Sequence, residues 1–125
     1  MIWIPSIDYL LRLFEEEIFK NPNLIHQGRL ESTLDKVRWG IPFHSEPDLW
    51  DRATILYKEI IENHYFEDGN KRIGLLITLV FLAKNGYDFI TTNDDAYEMT
   101  MHVAQKSKTF EEIKQWFIRN SKKLE

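Results

Sequence analysis

The 125-residue sequence contains no cysteine, and it has few residues that break regular structure, five glycines and four prolines. Without cysteine, disulfide bonds and cysteine-ligated zinc or iron–sulfur sites are excluded, whereas a metal site of histidines and carboxylates stays open. The longest apolar run, from Ile73 to Ala83, is far shorter than the roughly 20 residues that a membrane-spanning helix needs. The N-terminus also lacks the pattern of a secretory signal. We therefore expect a cytoplasmic protein without a membrane segment.

Basic residues are also fewer than acidic ones. Lys and Arg number 16 against 20 Asp and Glu, which gives a formal net charge of −4. This balance argues against a broad surface that coats nucleic-acid phosphates, so we expect no direct DNA binding. The length suits one compact domain with a single core, which we assign to residues 1–125.

Hydrophobic residues recur at helical spacing through most of the chain, which predicts an all-α fold. The predicted helices are Ile7 to Phe19, a segment around Leu30 to Val37, a helix from Asp48, Asn70 to Lys84, Asn93 to Lys106 and Thr109 to Asn120. The helix at 70–84 is apolar almost all round, which is typical of a helix at the centre of a domain. Residues 87–90 predict a short extended stretch. Residues 39–47, with one glycine and two prolines, predict a loop or a short hairpin.

The segment HYFEDGNKR, residues 64–72, carries the chemistry. A helix predicted to start at Asn70 has backbone N–H groups without intrahelical partners and the positive end of a dipole, which together stabilise a phosphate. Gly69 lets the backbone approach such an anion closely, and Lys71 and Arg72 add positive charge. Because helix N-termini normally favour acidic residues, these two cations indicate a bound anion.

Two further side chains complete this segment. Asp68 lies just outside the predicted helix and could cap backbone N–H groups or hold a magnesium ion that bridges phosphate oxygens. His64 continues the apolar stripe of the preceding helix, four residues after Ile60. Histidine titrates near neutral pH, so it could take a proton from an attacking hydroxyl. Together they predict a phosphoryl- or nucleotidyl-transfer site.

Each of these residues has a plainer interpretation when it is taken alone. His64 could be a hydrogen-bonded core residue, Asp68 to Asn70 an ordinary turn, and Lys71 with Arg72 a solvated surface. Their conjunction within one short segment favours a functional site. Phe66 is interpreted in either case as an apolar anchor of the turn.

The same segment resembles the motif of the Fic/Doc (Fido) family, His-x-Phe-x-(Asp/Glu)-Gly-Asn-x-x-Arg. It is most similar to the Doc branch, the death-on-curing toxins, in which Lys-Arg follows the Asn as it does at Lys71 and Arg72. The segments GRLESTL at 28–34 and FLAKNGY at 81–87 are similar to further parts of the family pattern. The resemblance implies a compact helical bundle around a buried central helix, with a possible small β-hairpin flap.

The resemblance also implies a role for each residue of the motif. His64 would be the general base toward a target hydroxyl, and Asp68 the magnesium ligand. Gly69 and Asn70 would form the anion-binding turn. Lys71 and Arg72 would bind the phosphates of ATP. The flap, at about residues 40–46, would align a segment of the target protein by strand addition. Its candidate target-binding residues are Ile41, Pro42, Phe43 and His44.

At two positions this chain differs from the members of the family that transfer AMP. Fic enzymes that transfer AMP have a second glycine where this chain has Lys71 and a second arginine where it has Leu75. The resemblance therefore implies the activity of Doc toxins, which transfer the γ-phosphate of ATP to a threonine of elongation factor Tu and arrest translation. A Phd-like antitoxin would be the inhibitory partner in a toxin–antitoxin pair. The alternatives are AMP transfer to a protein hydroxyl and a non-catalytic module that binds a nucleotide or a partner.

Overall fold

Two helices of equal length, α3 (Leu49–Asn63) and α4 (Asn70–Lys84), pack against each other at the centre of the fold. The structure is a computed structural model, and it describes residues 1–42 and 44–125. The two helices approach closely at Gly74, where a Cβ atom would lie 2.7 Å from Cγ1 of Ile61. A larger side chain at Gly74 would push these helices apart, because a close-packed interior has no room for it.

The sequence predicts the bounds of α4 correctly, but the helix is buried on one side only. Ile73, Ile77 and Phe81 are fully buried, whereas Leu75 and Leu79 are half-buried. Helix α3 takes the more enclosed position because it packs against the second, fourth, fifth and sixth helices of the chain. The centre of the domain is therefore shared by two helices rather than occupied by α4 alone.

The remaining helices confirm the all-α class. They are α1 (Ile7–Glu17), α2 (Gln27–Trp39), α5 (Asn93–Ala104) and α6 (Phe110–Arg119). Helix α1 ends before Phe19, the predicted end, because the N–H of Phe19 donates to the carbonyl of Phe14 in a wider turn. Helix α5 ends before the predicted Lys106, which adopts a positive φ of 58°. Within residues 1–42 and 44–125, no helix combines the length and the apolar character that crossing a membrane requires.

Helix α6 is attached to α3 by polar and aromatic contacts. Nζ of Lys114 lies 2.8 Å from Oδ1 of Asp51, and this hydrogen bond raises the pKa of Lys114 above its ordinary value. Tyr57 of α3 is fully buried against the rings of Trp116 and Phe117. Burial raises the pKa of Tyr57, so its hydroxyl stays protonated and forms a hydrogen bond with Thr100 of α5. The side chains of three helices thus meet around Tyr57.

A two-stranded antiparallel sheet covers one end of the helical core. Strand β1 (Tyr87–Phe89) pairs with β2 (Ser121–Lys123), with Tyr87 opposite Lys123. The first strand confirms the extended stretch predicted at 87–90. The second was not predicted, because Ser-Lys-Lys shows no alternation of polar and apolar residues. Its extended form depends on the pairing with β1.

The loop between α2 and α3 corrects the expectation of a β-hairpin flap. None of its described residues, 40–42 and 44–48, forms a strand, and the N–H of His44 instead donates to the carbonyl of Ile41 at 3.1 Å. Pro42 and Pro47 lack the N–H groups that a strand ladder uses, which explains the irregular backbone. Phe43, the other candidate flap residue, lies outside the described part of the chain.

Arg52 holds the two ends of this loop together. It is a buried cation, only 7% exposed. Its guanidinium donates to the carbonyls of Val37 at 2.7 Å, Arg38 at 2.9 Å and Pro47 at 3.3 Å. The end of α2 and the residue before the N-cap of α3 are therefore fixed by one side chain.

Replacing Arg52 by Met should lower the free energy of unfolding by about 2–3 kcal/mol, because the carbonyls of Val37 and Arg38 would lose a charged donor. Urea denaturation followed by circular dichroism measures this change. Arg12→Met, at an exposed position of α1, serves as the matched control and should change stability by less than about 0.5 kcal/mol. An equally small effect of Arg52→Met would contradict the role of this side chain.

Candidate active site

His64 lies at the turn between α3 and α4. Its backbone has a left-handed conformation, with φ 51° and ψ 57°, which ends α3. This conformation turns the imidazole away from the apolar stripe on which the spacing from Ile60 predicts it. Ile60 is fully buried, whereas His64 is exposed. The structure thus excludes the interpretation of His64 as a core histidine and leaves its imidazole open to a ligand.

The two residues after His64 anchor the turn in the core. Phe66 is 1% exposed, and its ring stacks on Phe14 of α1 with the centroids 4.6 Å apart. The hydroxyl of the buried Tyr65 forms a hydrogen bond with Thr33 of α2. Phe66 is therefore the apolar anchor that the sequence predicts, and the turn is attached to two different helices.

Asn70, the first residue of α4, joins the helix to this turn. Its Oδ1 accepts a hydrogen bond from the N–H of Phe66 at 3.0 Å, and its Nδ2 donates to the carbonyl of Phe66 at 2.8 Å. Asn70 is 6% exposed, and both polar atoms of its amide form hydrogen bonds inside the protein. The predicted anion contact of Asn70 therefore falls to its backbone N–H rather than to its side chain.

The connection between α1 and α2 lies beside the turn. The N–H of Glu67 donates to the carbonyl of Asn23, and the N–H of Ile25 donates to the carbonyl of Tyr65. The side-chain amide of Asn23 also donates to the carboxylate of Glu67. These contacts bring a segment more than 40 residues away in the chain against the turn. They hold the backbone around residues 65–67 in one conformation.

Gly69 precedes α4 in a conformation that favours glycine, with φ 83°. A Cβ atom at this position would lie 2.8 Å from Cζ of Phe14, so the backbone passes directly over that buried ring. The N–H of Gly69 donates to Oδ1 of the preceding Asp68 at 2.7 Å. The carboxylate of Asp68 is exposed beside the start of the helix.

The first turn of α4 carries positive charge that no acidic residue in the same turn offsets. No side chain caps it, and its first turn contains no acidic residue. Lys71 and Arg72 are exposed there, and neither forms a salt bridge with any residue that the structure describes. The free N–H groups of the first turn and the positive end of the helix dipole add to this charge. An anion is the ligand that this arrangement favours.

These residues surround one cavity of about 210 Å³. It is lined by Phe19, His64, Glu67, Asp68, Gly69, Asn70, Lys71 and Arg72. The six residues of the motif that the sequence singles out are therefore brought together in space. An imidazole, two carboxylates and two cations around an anion-favouring helix start can move a proton, bind a phosphate and stabilise charge on a transferred group.

Phe19 and Glu67 also line the cavity, and neither is among the site residues predicted from the sequence. Phe19 is 42% exposed at the end of α1 and lies next to the turn only because α1 packs against it. No local pattern marks such a residue. Glu67 lies inside the motif, and its position beside Asp68 was a signal that could have found it.

The described candidate flap residues, Ile41, Pro42 and His44, are not part of this lining. Ile41 and His44 instead line a separate cavity of about 270 Å³, together with Phe110 and other residues of α3 and the loop. Among the described residues of the loop, none contacts the first cavity. A role of Ile41, Pro42 and His44 in binding a target stays a prediction.

The acidic residues of the cavity fit a magnesium ion only in combination with phosphate. Asp68 and Glu67 supply two carboxylates, and residues 1–42 and 44–125 contain no group of three His, Cys, Asp or Glu side chains that could hold a metal ion. Magnesium in phosphate-binding sites is commonly held by one or two carboxylates and by substrate oxygens. Two carboxylates therefore fit a magnesium ion if phosphate oxygens complete its coordination.

The comparisons with known proteins converge on one family. The sequence profile described as Fic/DOC family matches residues 12–82, a span that includes every residue lining the cavity. The protein named "Protein kinase doc" of Escherichia phage P1 is 29% identical over 65 residues. This match covers 52% of the present chain and 52% of that protein, so it spans about half the length of the relative.

Replacing Gly69 by Ala should destabilise the protein more than replacing Gly86, which has a similar φ of 91° but no atom within 4 Å of the position that a Cβ would take. Ala at Gly86 should cost about 1–2 kcal/mol through backbone strain alone. Ala at Gly69 should cost about 1–3 kcal/mol more, because it also overlaps Phe14. Thermal unfolding of both variants measures the difference, and equal losses would show that the contact with Phe14 is unimportant.

Replacing Asn70 by Ala should lower the free energy of unfolding by about 2–3 kcal/mol, since both backbone groups of the buried Phe66 lose their partner. Urea denaturation of the purified variant checks this value. The control Asn21→Ala, at an exposed position, should stay within about 0.5 kcal/mol of the parent protein. If both variants have parent-like stability, the hydrogen bonds of Asn70 do not hold the turn.

Proposed function

The chain belongs to the Fic/DOC family, and from this membership and the cavity we propose that it is a Doc-like protein kinase. In this proposal it transfers the γ-phosphate of ATP to a Ser or Thr hydroxyl of a target protein. The observation that carries the proposal is the single cavity in which the exposed His64, the carboxylate of Asp68 and the cations Lys71 and Arg72 meet. The name of the phage P1 relative, a protein kinase, supports the same reaction class.

The phosphates of ATP would bind at the start of α4. The N–H groups of its first turn, which no side chain caps, donate to phosphate oxygens. Lys71 and Arg72 neutralise the remaining charge, Arg72 through a planar fork and Lys71 as a point charge. Gly69 would contribute through its left-handed backbone, which passes over Phe14 and lines the same cavity.

His64 would act as the general base. Its imidazole accepts the proton of the target hydroxyl while the hydroxyl oxygen attacks the γ-phosphorus. The bond between this phosphorus and the oxygen that bridges it to the β-phosphate breaks, and ADP leaves with the electron pair. Asp68, which lines the same cavity, would hold a magnesium ion that neutralises charge on the phosphates.

Lys71 and Leu75 favour phosphate transfer over AMP transfer. Enzymes of the family that transfer AMP have a glycine and an arginine at these two positions, as the sequence resemblance implies. In the structure Leu75 is a half-buried apolar residue that packs against the core. It offers no charge to a second phosphate group, so AMP transfer is the second candidate function.

The partners follow from the Doc resemblance. Elongation factor Tu would be the target, and phosphorylation of it would arrest translation. A Phd-like antitoxin would inhibit the protein within a toxin–antitoxin pair. Ile41, Pro42 and His44, in the loop between α2 and α3, are proposed to contact the target. These assignments accord with a cytoplasmic protein that does not bind DNA directly.

Purified protein, Mg²⁺ and elongation factor Tu, incubated with ATP labelled at the α- or the γ-phosphate, should yield labelled factor from the γ-phosphate alone. His64→Ala should lower the rate by about 10²- to 10⁴-fold, the usual contribution of a general base. His26→Ala replaces another exposed histidine outside the cavity and should leave the rate unchanged.

Label from the α-phosphate would replace the kinase proposal by AMP transfer. The absence of label from either position, with elongation factor Tu and with a cell extract, would favour a non-catalytic binding module. An equal loss of activity in His64→Ala and His26→Ala would contradict the role of His64 as the base.

A further inference from the structure

The imidazole of His64 has no hydrogen-bond partner among residues 1–42 and 44–125, the part of the chain that the structure describes. A general base is commonly oriented by a third group that bonds to it. Here no such group contacts the ring. The direction of the imidazole therefore depends on the backbone that carries it.

The backbone of His64 adopts a conformation that this residue does not favour by itself. Its φ of 51° lies in the left-handed region, where the Cβ atom crowds the following carbonyl oxygen. A residue other than glycine stays in such a conformation only when the surrounding contacts hold it there. Contacts of the two flanking residues, Asn63 and Tyr65, are the ones that can do so.

The side chains of these two flanking residues bond to each other across His64. Nδ2 of Asn63, the last residue of α3, donates to the hydroxyl of Tyr65 at 3.2 Å. This hydrogen bond joins the end of the helix to the turn and spans the left-handed residue. Tyr65 is only 3% exposed, so solvent has little access to its hydroxyl.

The hydroxyl of Tyr65 also begins a chain of hydrogen bonds between α2 and α3. The hydroxyl of Thr33 donates to Oε1 of Glu59 at 2.9 Å, because a carboxylate oxygen can only accept. Since the proton of Thr33 is used there, Tyr65 is the donor in its own bond to Thr33. Nζ of Lys36 lies 3.2 Å from the same oxygen of Glu59. The direction of each bond is thus fixed by the charged pair at its end.

We propose that Tyr65 is a positioning residue for His64, with Asn63, Thr33 and Glu59 as its partners. For its effect on the reaction, this inference rests on the proposed kinase function. Tyr65 does not line the cavity, so it does not contact a ligand there. Its hydroxyl acts through the backbone that it fixes, which carries the imidazole of His64 at the cavity wall.

Tyr65→Phe removes only the hydroxyl and tests this role. With Mg²⁺, γ-labelled ATP and elongation factor Tu, kcat should fall about 10- to 100-fold, because a displacement of about 1 Å at a reacting group can cost this much. KM for ATP should change by less than about twofold, since the residues at the start of α4 are untouched.

Tyr57→Phe is the matched control, because the hydroxyl of Tyr57 is also buried and bonded to a threonine, but in contact with α5. Each variant loses one buried hydrogen bond and should lower the midpoint of thermal unfolding by about 3–5 °C. Only Tyr65→Phe should lower kcat. An equal loss of kcat in both variants would show a general effect of stability and would contradict the proposal.

Thr33 offers a pair of variants that separates hydrogen bonding from packing. Thr33→Ser keeps the hydroxyl and loses a methyl group, whereas Thr33→Val keeps the volume and loses the hydroxyl. Thr33→Ser should keep kcat within about threefold of the parent value, and Thr33→Val should lose as much as Tyr65→Phe. The reverse order, or equal losses, would show that the hydroxyl of Thr33 does not support Tyr65.

A double-mutant cycle shows whether Tyr65 acts through His64. In the His64→Ala background, Tyr65→Phe should change the residual rate by less than about twofold, because the group that it positions is absent. A further loss of about tenfold in this background would mean that the two residues act independently, and would overturn the proposal.

The order of the His64 backbone provides a measurement that needs no activity. ¹⁵N relaxation should give the His64 amide an order parameter of about 0.85 in the parent protein and below about 0.6 in Tyr65→Phe. Tyr57→Phe should leave this value unchanged. Unchanged order in Tyr65→Phe would overturn the proposal, and the kinase function would stand if the γ-phosphate label still reaches elongation factor Tu. If no label is transferred while the His64 amide loses order, the kinase proposal falls and the positioning of His64 stands.

Discussion

The hydrogen bonds between the amide of Asn70 and the backbone of Phe66 are the contacts that hold the site in place. Buried backbone N–H and C=O groups must be paired, and here one side chain pairs both. The turn is thereby closed against the first residue of α4. Phe66 can then pack on Phe14, and Gly69 can pass over the same ring. His64, at the outer end of the turn, stays in solvent while Tyr65 and Phe66 are buried.

This anchoring lets α4 begin in a way that would otherwise be unfavourable. Four other helices start with a side-chain cap, from Ser6, Asp48, Thr92 and Thr109. Helix α4 starts with an uncapped glycine and two cations, against the preference of its own dipole. Natural sequences depart from such local rules mainly at functional sites, where another requirement outweighs stability. An anion bound at the start of α4 would offset this departure, as the proposed function requires.

The cations of α4 also connect two surfaces of different character. On one side they border a small polar cavity with His64 and the carboxylates, and on the other an apolar groove with Tyr97. Lys71 and Arg72 therefore border two surfaces at once, one polar and one largely apolar.

Local patterns in the chain were enough to predict the helical class, the bounds of α4 and the motif residues that line the cavity, because helical periodicity, turn residues and charge are local properties. The same patterns placed His64 on a buried stripe, since spacing cannot show the left-handed turn that ends α3. The folded arrangement was needed to show that the side chain of Asn70 serves the turn, that Phe19 reaches the cavity and that the second strand forms. These features depend on contacts between segments far apart in the chain. Such contacts produce no periodic pattern in the sequence of either segment.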